Sequence, residues 1–220
     1  MSNSIIGLIM NGEYMSAIIQ TLSRCFVIFC CTPFHELAHG FAANKLGDHT
    51  AKNQGRLTFN PFAHLDPLGT IMIFIFGIGY AKPVPVNPMN LKNPKRDMAL
   101  VSLAGPVANI IMAFGCCFCY VACFKFGFSD IFMLFFYFAA LVNVSLAVFN
   151  LLPIPPLDGS KILAAFLPNK VCYKYMKYER YVMIAVMLLL FVGVLDGLIS
   201  ELSHFLMAIL LYIPSLIFGV

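Results

Sequence analysis

The sequence predicts an all-α polytopic membrane protein of about five to six transmembrane helices, with a small membrane-associated β element or re-entrant hairpin. Three observations lead there. Of 220 residues 60% are hydrophobic and only 11% charged, too apolar a balance for the surface of an ordinary soluble domain. Apolar runs long enough to cross a hydrocarbon core of about 30 Å recur along the chain, separated by short polar loops. The basic residues also gather in particular loops rather than spreading evenly, as the positive-inside rule expects of a membrane protein.

Taken in order, Ser2 to Tyr14 is a short apolar piece broken by Asn11, Gly12 and Glu13, lying at the interface or extending the first helix. Ala17 to Ala43 is the first span. Met98 to Phe124, Ile131 to Leu152, Tyr181 to Val194 with its flanks, and Ile199 to Val220 are the later ones. Leu68 to Tyr80 is apolar but short, and its Ile-Met-Ile-Phe-Ile-Phe centre is rich in β-branched and aromatic residues. Charge decides how it is read. If it does not cross, Lys45, Lys52, Arg56, Lys82, Lys92, Lys95 and Arg96 share one side of the membrane with Lys161, Lys170, Lys174, Lys177 and Arg180. The opposite side keeps little beyond Lys125, Asp130, Asp196 and Glu201. That asymmetry makes the basic side cytoplasmic, so Arg56 to Pro88 is read as strands or a re-entrant hairpin packed against protein. Pro83, Pro85 and Pro88 mark an extended stretch leading to the next span.

Met1 to Met10 has no basic region and no cleavage site follows, so the mature chain is expected to start near Met1. A formal net charge of +4 reflects basic loops, and nucleic acid is not an expected partner. The whole of 1–220 is read as one membrane-embedded domain, its core about 16–168 and its C-terminal helices about 180–220.

The chemistry lies in Pro33-Phe34-His35-Glu36-Leu37-Ala38-His39-Gly40. Two histidines four apart on a helix share one face and can bind one Zn²⁺, while the glutamate between them can polarise a water on the metal. Between Ile18 and Ala43 the ionisable side chains, cysteines aside, are Arg24, His35, Glu36 and His39. An ionised residue at bilayer depth costs about 2.5–3.5 kcal/mol, so this cluster calls for a functional reason. Pro33 fits either a kink before the motif or the first turn of a new helix after Thr32. A hydrolytic zinc site takes a third protein ligand and leaves a position for water. The run Asn150-Leu151-Leu152-Pro153-Ile154-Pro155-Pro156-Leu157-Asp158-Gly159 breaks an apolar span with three prolines and sets a carboxylate before a new helix on the same side as the histidines. Asp158 is therefore preferred as third ligand, with Cys31, four residues before His35, as its competitor.

Of the eight cysteines, Cys25, Cys30, Cys31, Cys116, Cys117, Cys119 and Cys123 sit in apolar segments without disulfide spacing and read as packing residues. Cys116, Cys119 and Cys123 share one helical face, and a second metal or a redox pair is the alternative there. His64 and Asp66 are read as shaping a loop before Pro67, and His49 and His204 as surface residues. The Lys170 to Arg180 cluster reads as a cytoplasmic loop, with binding of anionic membrane lipid as a secondary reading.

On the HExxH helix, the Ala104-Gly105-Pro106 turn with Asn109, and the Asn150 to Gly159 run ending in Leu-Asp-Gly, the chain resembles the site-2 proteases, a family of zinc intramembrane metalloproteases. It is most similar to the short bacterial type, through Gly47 and Asp48 and the stretch Asn60 to Gly69. The resemblance implies one Zn²⁺ per chain held by His35, His39 and Asp158, with Glu36 as general base. It implies a transmembrane protein substrate and a multi-pass location in a bacterial cell membrane, with the active site toward the cytoplasm. Asn109, Asn143 and Asn150 are polar groups that could line a water route or hold an oxyanion. The resemblance favours a substrate-facing role for Asn150, against a helix C-cap. Ile71 to Phe76, as a strand, would receive unwound substrate by strand addition. Neither a PDZ insertion nor a regulatory nucleotide-binding domain is evident, so a regulatory membrane partner or substrate shape is expected to set the timing. The rival readings are a metal-binding membrane transporter or sensor without hydrolysis, and an inactive scaffold.

Overall fold

The computed structural model describes residues 5–76 and 81–220. It is 78% helical with no strand among the described residues, which makes the protein all-α. Eleven α-helices follow in order among those residues: α1 (Ile5–Met10), α2 (Tyr14–Phe26), α3 (Thr32–Lys45), α4 (Thr50–Asn53), α5 (Pro67–Phe76), α6 (Pro94–Lys125), α7 (Asp130–Leu151), α8 (Asp158–Phe166), α9 (Asn169–Lys177), α10 (Glu179–Val192) and α11 (Asp196–Phe218).

Among the described residues four helical stretches are long and apolar enough to cross a membrane: Tyr14–Lys45, Pro94–Lys125, Asp130–Leu151 and Asp196–Phe218. The first joins α2 and α3 through one π-helical turn, Val27–Cys31. There the Thr32 amide donates to the Val27 carbonyl, and its hydroxyl does so as well at 3.2 Å. Pro33, which has no N–H to give, follows at once. Of the two readings of Pro33, neither a sharp break nor a separate helix results; the helix runs on through a wider turn.

α6 is the central element, packing on α3, α7, α8 and α11. Its contact with α7 is lined by small buried residues, among them Ala113, Cys116, Cys117, Ala139 and Ala140. Small side chains let helices approach closely where lipid supplies no hydrophobic drive between them. All eight cysteines are free, and Cys31, Cys116, Cys117 and Cys123 are buried, in keeping with packing roles. Outward faces carry exposed Ile111, Phe118, Phe205, Tyr212 and Leu216, as suits a lipid-facing surface. Polar ties hold the bundle at depth. The Ser23 hydroxyl donates to the Phe135 carbonyl at 2.9 Å, joining α2 to α7, and buried Arg24 donates from Nη1 to the Ile73 carbonyl at 3.3 Å, joining α2 to α5.

Two expectations are corrected. Ile71 to Phe76 is not a strand but the second half of helix α5, so it presents no edge to a substrate. In an apolar setting a helix satisfies its own backbone, and this outweighs the β preference of Ile and Phe. The remainder of the Leu68 to Tyr80 segment, 77–80, lies outside the described residues. The start of α5 carries a signal the composition hides: Asp66 accepts the Gly69 amide at 2.9 Å and Pro67 takes the first helical position, an N-cap followed by proline. The second correction concerns span number. Tyr181 to Val194 overlaps α10, a 14-residue helix of about 21 Å, short of the hydrocarbon thickness, so among the described residues four of the expected five to six spans are met.

Candidate metal centre

α3 carries His35 and His39 one turn apart on the face turned toward α6, and both are buried. Their Nε2 atoms are 3.0 Å apart. Asp158, the first residue of α8, brings Oδ2 to 3.5 Å from His35 Nε2 and 3.2 Å from His39 Nε2. The three donor atoms all lie within 4.8 Å of one another. Two ligands bound to one tetrahedral zinc at about 2.0–2.1 Å stand about 3.3 Å apart, so the donor set fits that ion. His39 Nδ1 lies 2.8 Å from the Val101 carbonyl, where it acts as donor; that tautomer leaves the Nε2 lone pair for a metal.

Glycines make the approach possible. A Cβ at Gly105 of α6 would collide with His39 Nε2 and lie 2.6 Å from His35 Cε1, so the imidazoles occupy the space a side chain would fill. At Gly159 a Cβ would collide with the Leu151 carbonyl oxygen and lie 2.5 Å from that of Leu152, so only glycine lets α8 start so close beneath the end of α7. The Pro153 to Leu157 turn between them is secured by Tyr175, whose hydroxyl donates to the Pro153 carbonyl at 2.5 Å. The Asp158 carboxyl is itself buried at the start of α8. Its Oδ1 faces Lys161 Nζ at 3.8 Å, one turn along α8.

Glu36 is buried beside the histidines, and its Oε2 accepts the Val84 amide at 2.9 Å. His35, Glu36, His39 and Asp158 line one cavity of about 440 Å³, and Asn109 and Asn150 line it too. Asn109 is buried with its Oδ1 unpartnered, whereas Asn150 donates to the Leu146 carbonyl at 2.9 Å within its own helix. Asn143 does not line the cavity; its amide donates to Cys31 Sγ at 3.3 Å and to the Ala139 carbonyl at 2.9 Å. Cys31 is thus occupied elsewhere, and Asp158 completes the donor set. Among the described residues no second group of three metal donors occurs, so the Cys116, Cys119 and Cys123 alternative gains nothing.

His64 stays with its loop, Nε2 lying 2.8 Å from the Thr58 carbonyl. His49 and His204 are exposed. The sequence reading missed Val84, whose contribution is a backbone amide that no side-chain motif marks, and the steric role of Gly105. It also placed Lys161 with the basic loops, although its spacing three residues after Asp158 was available as a signal.

Comparison with known proteins agrees with this geometry. Residues 125–194, which include Asp158, match the sequence profile of peptidase family M50. YwhC of Bacillus subtilis, provisionally named a zinc metalloprotease, is 48% identical over 164 residues, covering 72% of this chain and 74% of its own. Rip2 of Mycolicibacterium smegmatis, under the same provisional name, is 31% identical over 159 residues, covering 67% of this chain and 57% of its own. MJ0611 of Methanocaldococcus jannaschii, also so named, is 34% identical over 130 residues, covering 59% and 63%. No solved structure matches the chain. With two histidines, a carboxylate and a neighbouring glutamate at one buried point, and with 48% identity to a relative over 72% of this chain and 74% of that relative, the chain belongs to peptidase family M50, the site-2 proteases.

Proposed function

We propose that the protein is a zinc-dependent endopeptidase that hydrolyses a peptide bond within or near a transmembrane segment of a protein substrate. The observation that carries this reading is the convergence of His35, His39 and Asp158 with Glu36 on one cavity walled by membrane-length helices. His35 and His39 lie ten and six residues before Lys45, about 15 and 9 Å along the helix from its end, a depth reached by membrane-embedded chain. The excess of basic residues in the loops on that side supports a cytoplasmic position for that end of α3.

Zinc held by His35, His39 and Asp158 supplies Lewis acidity, polarising a substrate carbonyl and bringing the pKa of water toward about 7. Glu36 does the proton work. With Oε2 engaged by the Val84 amide, Oε1 accepts the proton of the attacking water and returns it to the leaving amine. Asn109 and Asn150, on the cavity wall, are placed to bind the substrate backbone or the developing oxyanion. A membrane helix hides its peptide bonds, so the substrate unwinds locally to enter; membrane lipids surround it and nucleic acid has no part. The timing of cleavage is set by a membrane partner or by the substrate's own helix stability.

The test is zinc content and cleavage together, in detergent, for wild type, Glu36→Gln and Asp158→Ala against a panel of single-span substrates. One zinc per chain in wild type and Glu36→Gln, with cleavage lost in Glu36→Gln, is expected. Equal zinc in all three proteins with no metal-dependent cleavage would instead support a sensor or scaffold.

A further inference from the structure

Asp48 is a carboxylate with no solvent exposure that the proposed chemistry leaves unused. Oδ1 accepts from the Thr50 amide at 3.1 Å, the Thr50 hydroxyl at 2.5 Å and Asn90 Nδ2 at 2.8 Å, while Oδ2 accepts the Asn87 amide at 2.7 Å. Thr50 is local, but Asn87 and Asn90 belong to segment 81–90, which reaches across the molecule. Residues 81–87 have no regular structure and no sheet partner, so their position depends on outside anchors. Two further anchors hold its start. Arg56 Nη2 donates to the Lys82 carbonyl at 3.0 Å and to the Pro83 carbonyl at 3.3 Å, and the His64 carbonyl accepts the Lys82 amide at 2.8 Å.

Between these anchors lies Val84, with proline on either side, so that from 83 to 85 it alone has an N–H. That N–H is the one given to Glu36 Oε2. Val84 is also seated in a notch: a Cβ at Gly40, directly after the HExxH run, would come 3.2 Å from Val84 Cγ1. An anchored strap therefore lies across α3, pinned at both ends and touching the catalytic helix at its middle.

We propose that Asp48 and Arg56 are positioning residues for Glu36, pinning the 81–90 strap so that the Val84 amide fixes the carboxylate. The effect on rate rests on the peptidase reading above; the placement of the strap does not. A misplacement of about 1 Å at a reacting group can cost about 100-fold in rate, so a strap that loosens without unfolding should appear in turnover and not in substrate binding.

Val84→Pro removes the N–H and puts a ring carbon in its place, in a Pro-Val-Pro context already extended, and Val84→Ala controls for loss of the isopropyl group. Val84→Pro is expected to lower kcat by about 10–100-fold with KM within about twofold and zinc content unchanged, while Val84→Ala stays near wild type. Asp48→Asn, which puts a donor where one acceptor oxygen stood, and Arg56→Lys, which loses the fork, are expected to lower kcat less. Amide exchange over 84–87, followed by mass spectrometry in the zinc-free protein, is expected to quicken in Asp48→Asn and in Glu36→Ala. Equal turnover in the Val84→Pro and Val84→Ala proteins would overturn the role of the amide. Unchanged exchange in Asp48→Asn would overturn the role of Asp48. If wild type cleaves nothing, the peptidase reading fails, and quickened exchange at 84 in Glu36→Ala still decides whether strap and glutamate are joined.

Discussion

His35 and His39 are placed by a regular helix and an empty space beside it, whereas Glu36, on the same helix between them, is held by a stretch of chain with no regular structure at all. The first arrangement needs only periodicity and Gly105. It is stiff, because helix-to-helix packing decides it. The second depends on the side chains of Asp48 and Arg56 and the His64 carbonyl reaching backbone groups of 82, 83 and 87. The metal half of the site is thus built into the bundle, and the proton-transfer half is attached to it by hydrogen bonds that local motion can open at lower cost.

That contrast can be broken most severely at the ligands. His35→Ala or Asp158→Ala is expected to weaken zinc binding by more than about 100-fold, read by competition with a chelator, since loss of a group that merely hydrogen-bonds to a ligand already costs about 10–100-fold. Gly105→Ala is next. Its added Cβ meets two imidazoles across a rigid interface, so a stability loss of about 1–3 kcal/mol in thermal unfolding and reduced zinc affinity are expected together. Gly40→Ala should cost less. The Cβ there meets the far end of the Leu57 side chain and lies 3.2 Å from Val84 Cγ1, atoms that can yield. A loss under about 1 kcal/mol with a fall in kcat, and zinc affinity unchanged, would mark the strap as the softer half.

The smallest effect is the pH dependence that Asp48 gives the wild type, which appears in acid. Burial would raise its carboxyl, but hydrogen bonds from Thr50, Asn90 and Asn87 outweigh this and lower it below the ordinary aspartate value. A lowered folded value means that the ionised group stabilises the fold fully above about pH 3.9 and loses that contribution as pH falls toward the folded value. Protection of the amides over 81–90, taken against the intrinsic exchange rate at each pH, is therefore expected to fall below about pH 4 in wild type, and to lose that acid step in Asp48→Asn.

Legibility in the sequence follows the same division. The spacing of His35 and His39 and the proline break before Asp158 read directly, because helical period and proline chemistry are local. α5 did not, since Ile71 to Phe76 looks like a strand by composition and only the Asp66-Pro67 cap marks it as helical. The Val84 amide was invisible for a different reason: a backbone N–H has no residue type, and its partner lies 48 residues away. Gly105 was legible as part of a motif, yet its purpose needs the imidazoles in place.

The π turn at Val27–Cys31 also sets a phase. Each residue of an α-helix advances the side chains by about 100°, so one wider turn rotates everything after it against everything before it. The stripe through Ser23 and Arg24 that engages α7 and α5, and the stripe through His35 and His39 that faces α6, need not follow one spiral. Deleting a single residue such as Phe29 would return the turn to ordinary pitch and swing the zinc-binding stripe out of register with its anchors, without altering one ligand.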